Sequence, residues 1–183
     1  MEKIILGFVG EIASGKGTIC DYLIKNHGSG YYRFSTIIRD VMKRLHIAES
    51  RDNLQLLSNI LRKDFGEDLF AKVLTEDVKA DKSQIICVDG IRRPADIIYL
   101  QELPNFHLVY VTAEEQTRFE RITNRTENSD DTGKTFADFQ KEAQNETELL
   151  IKDVAKEAKF IIENNGTTEE LYQKIESILA ELN

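Results

Sequence analysis

No apolar run in the sequence approaches the roughly 18 residues that a membrane-spanning helix needs, which excludes a helical span. The start, "MEKIILGFVG", has one lysine, a short apolar stretch and then a charged loop. That is a poor secretory signal, and the expected location is cytoplasmic. Cysteine is scarce: Cys20 and Cys87 stand far apart, each inside an apolar stretch, with neither redox nor zinc spacing. They read as two buried thiols in a reducing compartment. His27, His46 and His107 are scattered, which argues against a metal cluster. Positive charge is in deficit. The net charge of −8 speaks against a broad nucleic-acid-binding surface. There is no internal repeat, low-complexity tract or interdomain linker, and 183 residues suffice for a single domain.

The arginines are unevenly placed. All fall between Arg33 and Arg125, whereas lysines run through the whole chain. Arginine's planar fork suits phosphate recognition better than lysine's point charge, so the group suggests that the middle of the chain handles phosphate. Chance clustering on solvated helices is the alternative for any one of them.

Apolar patterning gives the fold class. "KIILGFV" (3–9) is a short continuous apolar run, as expected of a strand buried on both faces in a parallel sheet. Further strands are predicted at 31–34, 84–90 ("QIICVDG"), 107–111 ("HLVYV") and 159–163 ("KFIIE"). Helices are predicted over about 18–26, 36–45, 53–65, 68–80, 114–125 and 136–153, and another after Pro94, which suits a first helical turn. Leu54, Leu57, Leu61 and Phe65 form one stripe of the 53–65 helix. In the last helix Leu171, Ile175, Ile178 and Leu182 do the same, behind a capping box of Thr167 and Glu170. Strands alternating with helices predict an α/β fold with a five-stranded parallel sheet flanked by helices in three layers. Residues 126–135 ("TENSDDTGKT") are polar and turn-rich, a candidate mobile loop.

The chemistry begins at "LGFVGEIASGKGTICDYLI" (6–24). Gly10, Gly15 and Lys16 fit the phosphate-binding pattern G-x-x-x-x-G-K-[ST] up to its last position, where Gly17 replaces the hydroxyl residue and Thr18 follows one place late. In a strand–loop–helix of this kind the loop N–H groups converge on phosphate, the helix N-terminus adds partial positive charge, and the lysine reaches the terminal phosphates. A glycine-rich turn that happens to carry a lysine is the plainer alternative. Downstream, Asp89 stands at the carboxyl end of a buried strand, the edge of an open α/β sheet where ligands sit.

The string "GEIASGKGT" resembles the phosphate loop of the adenylate-kinase-like nucleoside monophosphate kinases, which typically read G-K-G-T. The resemblance implies a P-loop NTPase fold and a nucleotide site formed by Gly10, Ile12, Ala13, Ser14, Gly15, Lys16, Gly17 and Thr18. It also implies ATP as phosphate donor and Mg2+ held largely through waters, so that Gly17 marks a subclass. "FSTIIRD" (34–40) resembles the entry to that family's acceptor-binding helix, which implies Ser35 and Arg39 at the acceptor phosphate. "VDGIRRP" (88–94) resembles its Asp-Gly-x-x-Arg segment. Asp89 would then orient magnesium through water, Gly90 would let the acceptor approach, and Arg92 or Arg93 would bind its phosphate. Arg118, Arg121 and Arg125 fall on one helical face; Arg121 and Arg125 match the family's lid-hinge arginines, with catalytic roles on the donor. "NNGT" (164–167) resembles the turn that brushes the donor adenine, implying Asn165 there, although a plain strand-to-helix turn reads the same. On this resemblance the core is 1–34, 83–125 and 154–183. The acceptor-binding helices occupy about 35–82, and the lid about 126–135 with its following helix to 153.

The stretch "RDNLQLLSNILRKDFGEDLFAKVL" resembles the equivalent insertion of phage-type deoxynucleoside monophosphate kinases and related phosphomevalonate kinases. The C-terminal half is similar to a dephospho-CoA-kinase-like group. Two departures stand out. Thr36 occupies a position where many relatives have aspartate, and the lid has no arginine after Arg125, only Lys134 and Lys141. The expected function is transfer of the ATP γ-phosphate to a nucleoside or deoxynucleoside monophosphate, by a monomer or homodimer with no nucleic-acid or membrane partner. The rival expectations are a dephospho-CoA kinase, which would need a carboxylate base, and a nucleotide-binding switch with little kinase activity.

Overall fold

The structure, a computed structural model, describes residues 3–123, 135–144 and 146–183. The chain runs β1 (Ile4–Val9), α1 (Lys16–His27), β2 (Gly30–Arg33), α2 (Phe34–Arg44), α3 (Arg51–Phe65), α4 (Leu69–Ala80) and β3 (Ile85–Ile91). After a 3-10 turn at Pro94–Asp96 come β4 (Phe106–Thr112), α5 (Glu115–Thr123), α6 (Phe136–Glu142), α7 (Glu146–Ala155), β5 (Phe160–Glu163) and α8 (Thr168–Leu182). The five strands form one parallel sheet in the order β2-β3-β1-β4-β5. No helix among the described residues is long and apolar enough to cross a membrane.

Strand β1 is central and buried along its whole length, which is why it could be read as an unbroken apolar run. One face of the sheet packs against Ile38 and Met42 of α2, Phe70 and Leu74 of α4, and Ile151 and Val154 of α7. The other packs against Ile19 and Leu23 of α1 and Leu171, Ile175 and Leu179 of α8. These are the three expected layers. The order reverses at β1: the chain first moves to β2 and β3 on one side, then to β4 and β5 on the other. That leaves a crevice at the carboxyl edge beside β1. The Thr167–Glu170 capping box forms as predicted, the carboxylate accepting from Thr167 N at 3.0 Å and the hydroxyl from Glu170 N at 3.2 Å.

Three local expectations are corrected. No helix follows Pro94: a single 3-10 turn leads into further turns, because Asp96 draws the backbone N–H groups of Arg92 and Arg93 onto its own carboxylate. The predicted helix 136–153 is two helices. Phe139 on α6 is buried against α5, while Ile151 and Val154 on α7 anchor in the sheet core. The break between them lets each reach its own site. Phe65 does not join the stripe of α3; it is 67% exposed at the helix end, whereas Leu54, Leu57 and Leu61 pack inward. The two cysteines are buried free thiols, as expected, and though distant in sequence they are neighbours. Packing of α1 on β3 brings the Cys20 and Cys87 thiols together, and Ser29 Oγ lies 3.4 Å from Cys87 Sγ.

Candidate active site

The glycine loop spans the gap between β1 and α1 at the carboxyl edge. Its glycines are demanded by contact as well as conformation. A side chain at Gly10 would meet Val111 O at 2.0 Å, and one at Gly15 would meet Asn164 Nδ2 at 2.3 Å, with φ at +112° besides. Gly17 is different. A Cβ there would touch nothing within 4 Å, so the fold does not require glycine at this position. Gly17 and Thr18 are both exposed at the first turn of α1. Lys16 lies across the loop, its Nζ donating to Gly10 O at 2.7 Å and Glu11 O at 2.9 Å, with Ser14 Oγ at 3.5 Å. The ammonium is thereby held over the concavity of the loop.

Three side chains brace the loop from the strands and helix behind it. Asn164, buried just past β5, donates from Nδ2 to Ser14 O at 2.8 Å, while its own N–H bonds Thr112 O at 2.7 Å. Tyr110 on β4 donates to Glu11 Oε1 at 2.6 Å. Arg118 on α5, only 7% exposed, donates from Nε to Ala113 O at 3.1 Å and from Nη1 to Ile12 O at 3.4 Å, with its guanidinium 5.4 Å from the centre of the Phe139 ring. The shared helical face of Arg118 and Arg121 is thus divided. Arg118 is a buried strut under the loop, and Arg121 is half-buried with Nη1 lacking a hydrogen-bond partner among the described residues. Arg125 and the predicted lid residues 126–134, Lys134 included, lie outside the described residues.

Sequence reading missed Asn164 and Tyr110. It named Asn165 instead, whose Oδ1 accepts from Glu114 N at 2.7 Å and ties the start of α5 to the end of β5. The clue was present: a second asparagine directly after a buried strand is a candidate for backbone bonding. Replacing Asn164 by alanine is expected to leave Ser14 O unmet beside a void, at a cost of about 1–3 kcal/mol. Denaturant unfolding should register that loss, and a fluorescent ATP analogue should bind more weakly.

Asp89 stands at the end of β3, the strand beside β1, and is 6% exposed. Its Oδ1 accepts from Gly90 N at 2.7 Å; Oδ2 accepts from Tyr31 OH at 3.1 Å and lies 3.7 Å from Arg33 Nε. Burial, then the charge of Asp89, pushes the Tyr31 hydroxyl far above the ordinary tyrosine range, so it stays a hydrogen-bond donor to the carboxylate. Gly90 follows with φ +82°, a turn in the left-handed region that suits glycine.

The predicted acceptor residues lie on α2 and just past the end of β3. Ser35 opens α2, its Oγ buried without a partner among the described residues. Arg39, one turn on, pairs with Glu49. Arg92 is exposed, and Arg93 pairs with Glu67 at 2.9 Å. Both their backbone N–H groups donate to Asp96 Oδ2 at 3.0 Å, while Asp96 Oδ1 meets Arg62 Nη2 at 3.2 Å in a buried ion pair. The expectation that mid-chain arginines handle phosphate as a group is corrected here. Arg62 and Arg118 are buried structural residues, committed to Asp96 and to backbone carbonyls.

A family profile described as an AAA domain matches residues 9–137, which takes in the glycine loop, Asp89 and the arginine segments. The chain belongs to the AAA-domain family. Among curated proteins it is 26% identical over 181 residues to a UPF0200 protein of Hyperthermus butylicus, covering 99% of this chain and 96% of the relative. It is 29% identical to a UPF0200 protein of Staphylothermus marinus, covering 100% and 94%. Solved structures of similar shape include TT1252 from Thermus thermophilus, with TM-score 0.60, 17% identity and full coverage of both chains. Shikimate kinase from Bacteroides thetaiotaomicron matches with TM-score 0.62 and 14% identity, covering 97% of this chain and 98% of that one. The fold of this AAA-domain protein is therefore that of the P-loop kinases.

Proposed function

We propose that the protein is a P-loop phosphotransferase that moves the γ-phosphate of ATP, with Mg2+, to a nucleoside or deoxynucleoside monophosphate. The observation that carries this reading is a pairing of two cationic regions. The glycine loop with Lys16 offers one anion cradle, and a separate set of arginines stands on other elements: Arg39 on α2, and Arg92 and Arg93 just past β3, beyond Asp89. A protein that only bound and hydrolysed a nucleotide would have no use for the second set.

The residues present fit the groups this function needs. Gly10 and Gly15 keep the loop open where any side chain would clash. Lys16 already hangs its ammonium over the concavity. The buried carboxylate of Asp89 stands at the carboxyl end of the strand adjacent to β1 and would hold the magnesium's water shell. Bound ATP supplies the phosphoryl group to be transferred. The chain's own task is positioning and charge neutralisation: loop N–H groups and Lys16 on the donor phosphates, Arg39 and Arg92 or Arg93 on the acceptor phosphate, Arg121 at the lid hinge.

A coupled ADP-release assay over the common nucleoside and deoxynucleoside monophosphates and dephospho-CoA tests the reading. One monophosphate class should stimulate release strongly. Stimulation by dephospho-CoA alone would replace the acceptor assignment, and acceptor-independent release alone would indicate a nucleotide switch. Arg39→Ala and Arg92→Ala are expected to raise the acceptor KM by about ten- to a hundredfold each, with far less effect on the ATP KM, because each removes a charge-assisted bond of about 1.5–3 kcal/mol. Equal effects on both substrates would move these arginines to the donor site or the fold.

A further inference from the structure

Four residues around the proposed acceptor arginines form a closed ring. Arg62 Nη2 meets Asp96 Oδ1 at 3.2 Å; Asp96 Oδ2 accepts from Arg93 N at 3.0 Å; Arg93 Nη1 meets Glu67 Oε2 at 2.9 Å; and Glu67 O accepts from Arg62 Nη1. The two ion pairs in this ring differ in kind. The Arg62 and Asp96 side chains are 8% and 3% exposed, sealed from water, with the Arg62 guanidinium also resting 4.8 Å from the centre of the Phe70 ring. The Arg93 and Glu67 side chains are 31% and 66% exposed. The sealed pair fastens both backbones in place. The open pair is mounted on those fixed backbones, and water can reach it.

We propose that Glu67 is an internal occupant of an anion seat on Arg93, and that a phosphomonoester dianion displaces it when the acceptor binds. The inference rests on the phosphotransferase reading for the acceptor's identity, though not for the seat itself. A carboxylate carries one charge and a phosphomonoester close to two, spread over three acceptor oxygens, so the phosphate takes the guanidinium fork from Glu67. A neutral hydroxyl group does not. Glu67 thus makes the seat selective for a doubly charged acceptor and keeps Arg93 oriented while it is vacant. Since the bond from Arg62 Nη1 goes to the backbone carbonyl of residue 67, a change of its side chain leaves the sealed part of the ring intact.

The test is a titration of the full chain with inorganic phosphate, followed through the side-chain Nε–H signal of Arg93 in 15N-arginine-labelled protein. Loss of that signal in Arg93→Gln assigns it, and phosphate bound in the glycine loop does not touch this group. Glu67→Gln is expected to bind phosphate at Arg93 about two- to fivefold more tightly than the wild type, as removal of an exposed competing ion pair allows. Its thermal unfolding should be almost unchanged. Equal or weaker affinity in Glu67→Gln, or an Arg93 signal that ignores phosphate in every variant, would overturn the proposal. If the seat behaves as expected yet no monophosphate stimulates ADP release, it is the phosphotransferase reading that fails and the seat that stands.

Discussion

Replacing Lys16 by alanine is expected to lower phosphoryl transfer by at least about a hundredfold while leaving the protein folded. The size follows from what a preorganised cation does at phosphates where charge develops: removal of one such group typically costs about 3–4 kcal/mol of transition-state stabilisation. The preserved fold follows from what Lys16 touches. Lys16 bonds the carbonyls of Gly10 and Glu11 and approaches Ser14 Oγ at the mouth of the loop, where water can replace the ammonium. The loop itself is held from behind by Asn164, Tyr110 and Arg118, none of which depends on the lysine. Steady-state rates and a melting curve on the same preparation check both halves. A variant that keeps more than a tenth of wild-type activity would count against the phosphate-loop assignment, and one that unfolds would show Lys16 to be structural.

Asp96→Ala is expected to be the most destabilising of the substitutions considered, by about 3–5 kcal/mol. It strips the counter-ion from a guanidinium that is 8% exposed and leaves the N–H groups of Arg92 and Arg93 without their acceptor. For a chain of this size that corresponds to a fall in Tm of very roughly 6–20 °C. Adding Arg62→Leu should recover much of the loss, because the uncompensated buried charge goes with the arginine, so the two changes should be far from additive. What remains after the double replacement measures the capping of the 92–93 backbone. Under the proposed function it should appear as a raised acceptor KM with the ATP KM little changed. A loss below about 1 kcal/mol in the single variant would mean that α3 is held to the β3 end by its apolar contacts alone, without help from the pair.

How far these residues could be read in advance depends on the distance over which they act. Strand β1 announced itself because burial on both faces forces consecutive apolar residues. The last helix did so because a hydroxyl and a carboxylate three residues apart can cap only their own neighbours. Gly10, Gly15 and Lys16 were legible because a phosphate cradle is local too: loop, helix start and lysine lie within a single turn. The sequence by itself therefore determined the α/β class, the five parallel strands, the glycine loop and the acid at the end of β3.

Tertiary structure alone decided which arginines are available to a ligand. Arg62 and Arg118 look like their neighbours in sequence, yet each is buried by a partner on another element: Asp96 lies 34 residues away, and Ile12 106. The braces of the loop are equally distant, Tyr110 acting on Glu11 across 99 residues and Asn164 on Ser14 across 150. No periodicity marks such contacts, since a single polar side chain meeting a single carbonyl leaves no pattern along the chain. They exist only once the sheet has set β5 beside β4 and β4 beside β1, bringing the ends of all three strands to one edge. The same holds for the Glu67–Arg93 pair, whose members face each other because a buried ion pair elsewhere in the ring holds their backbones in place.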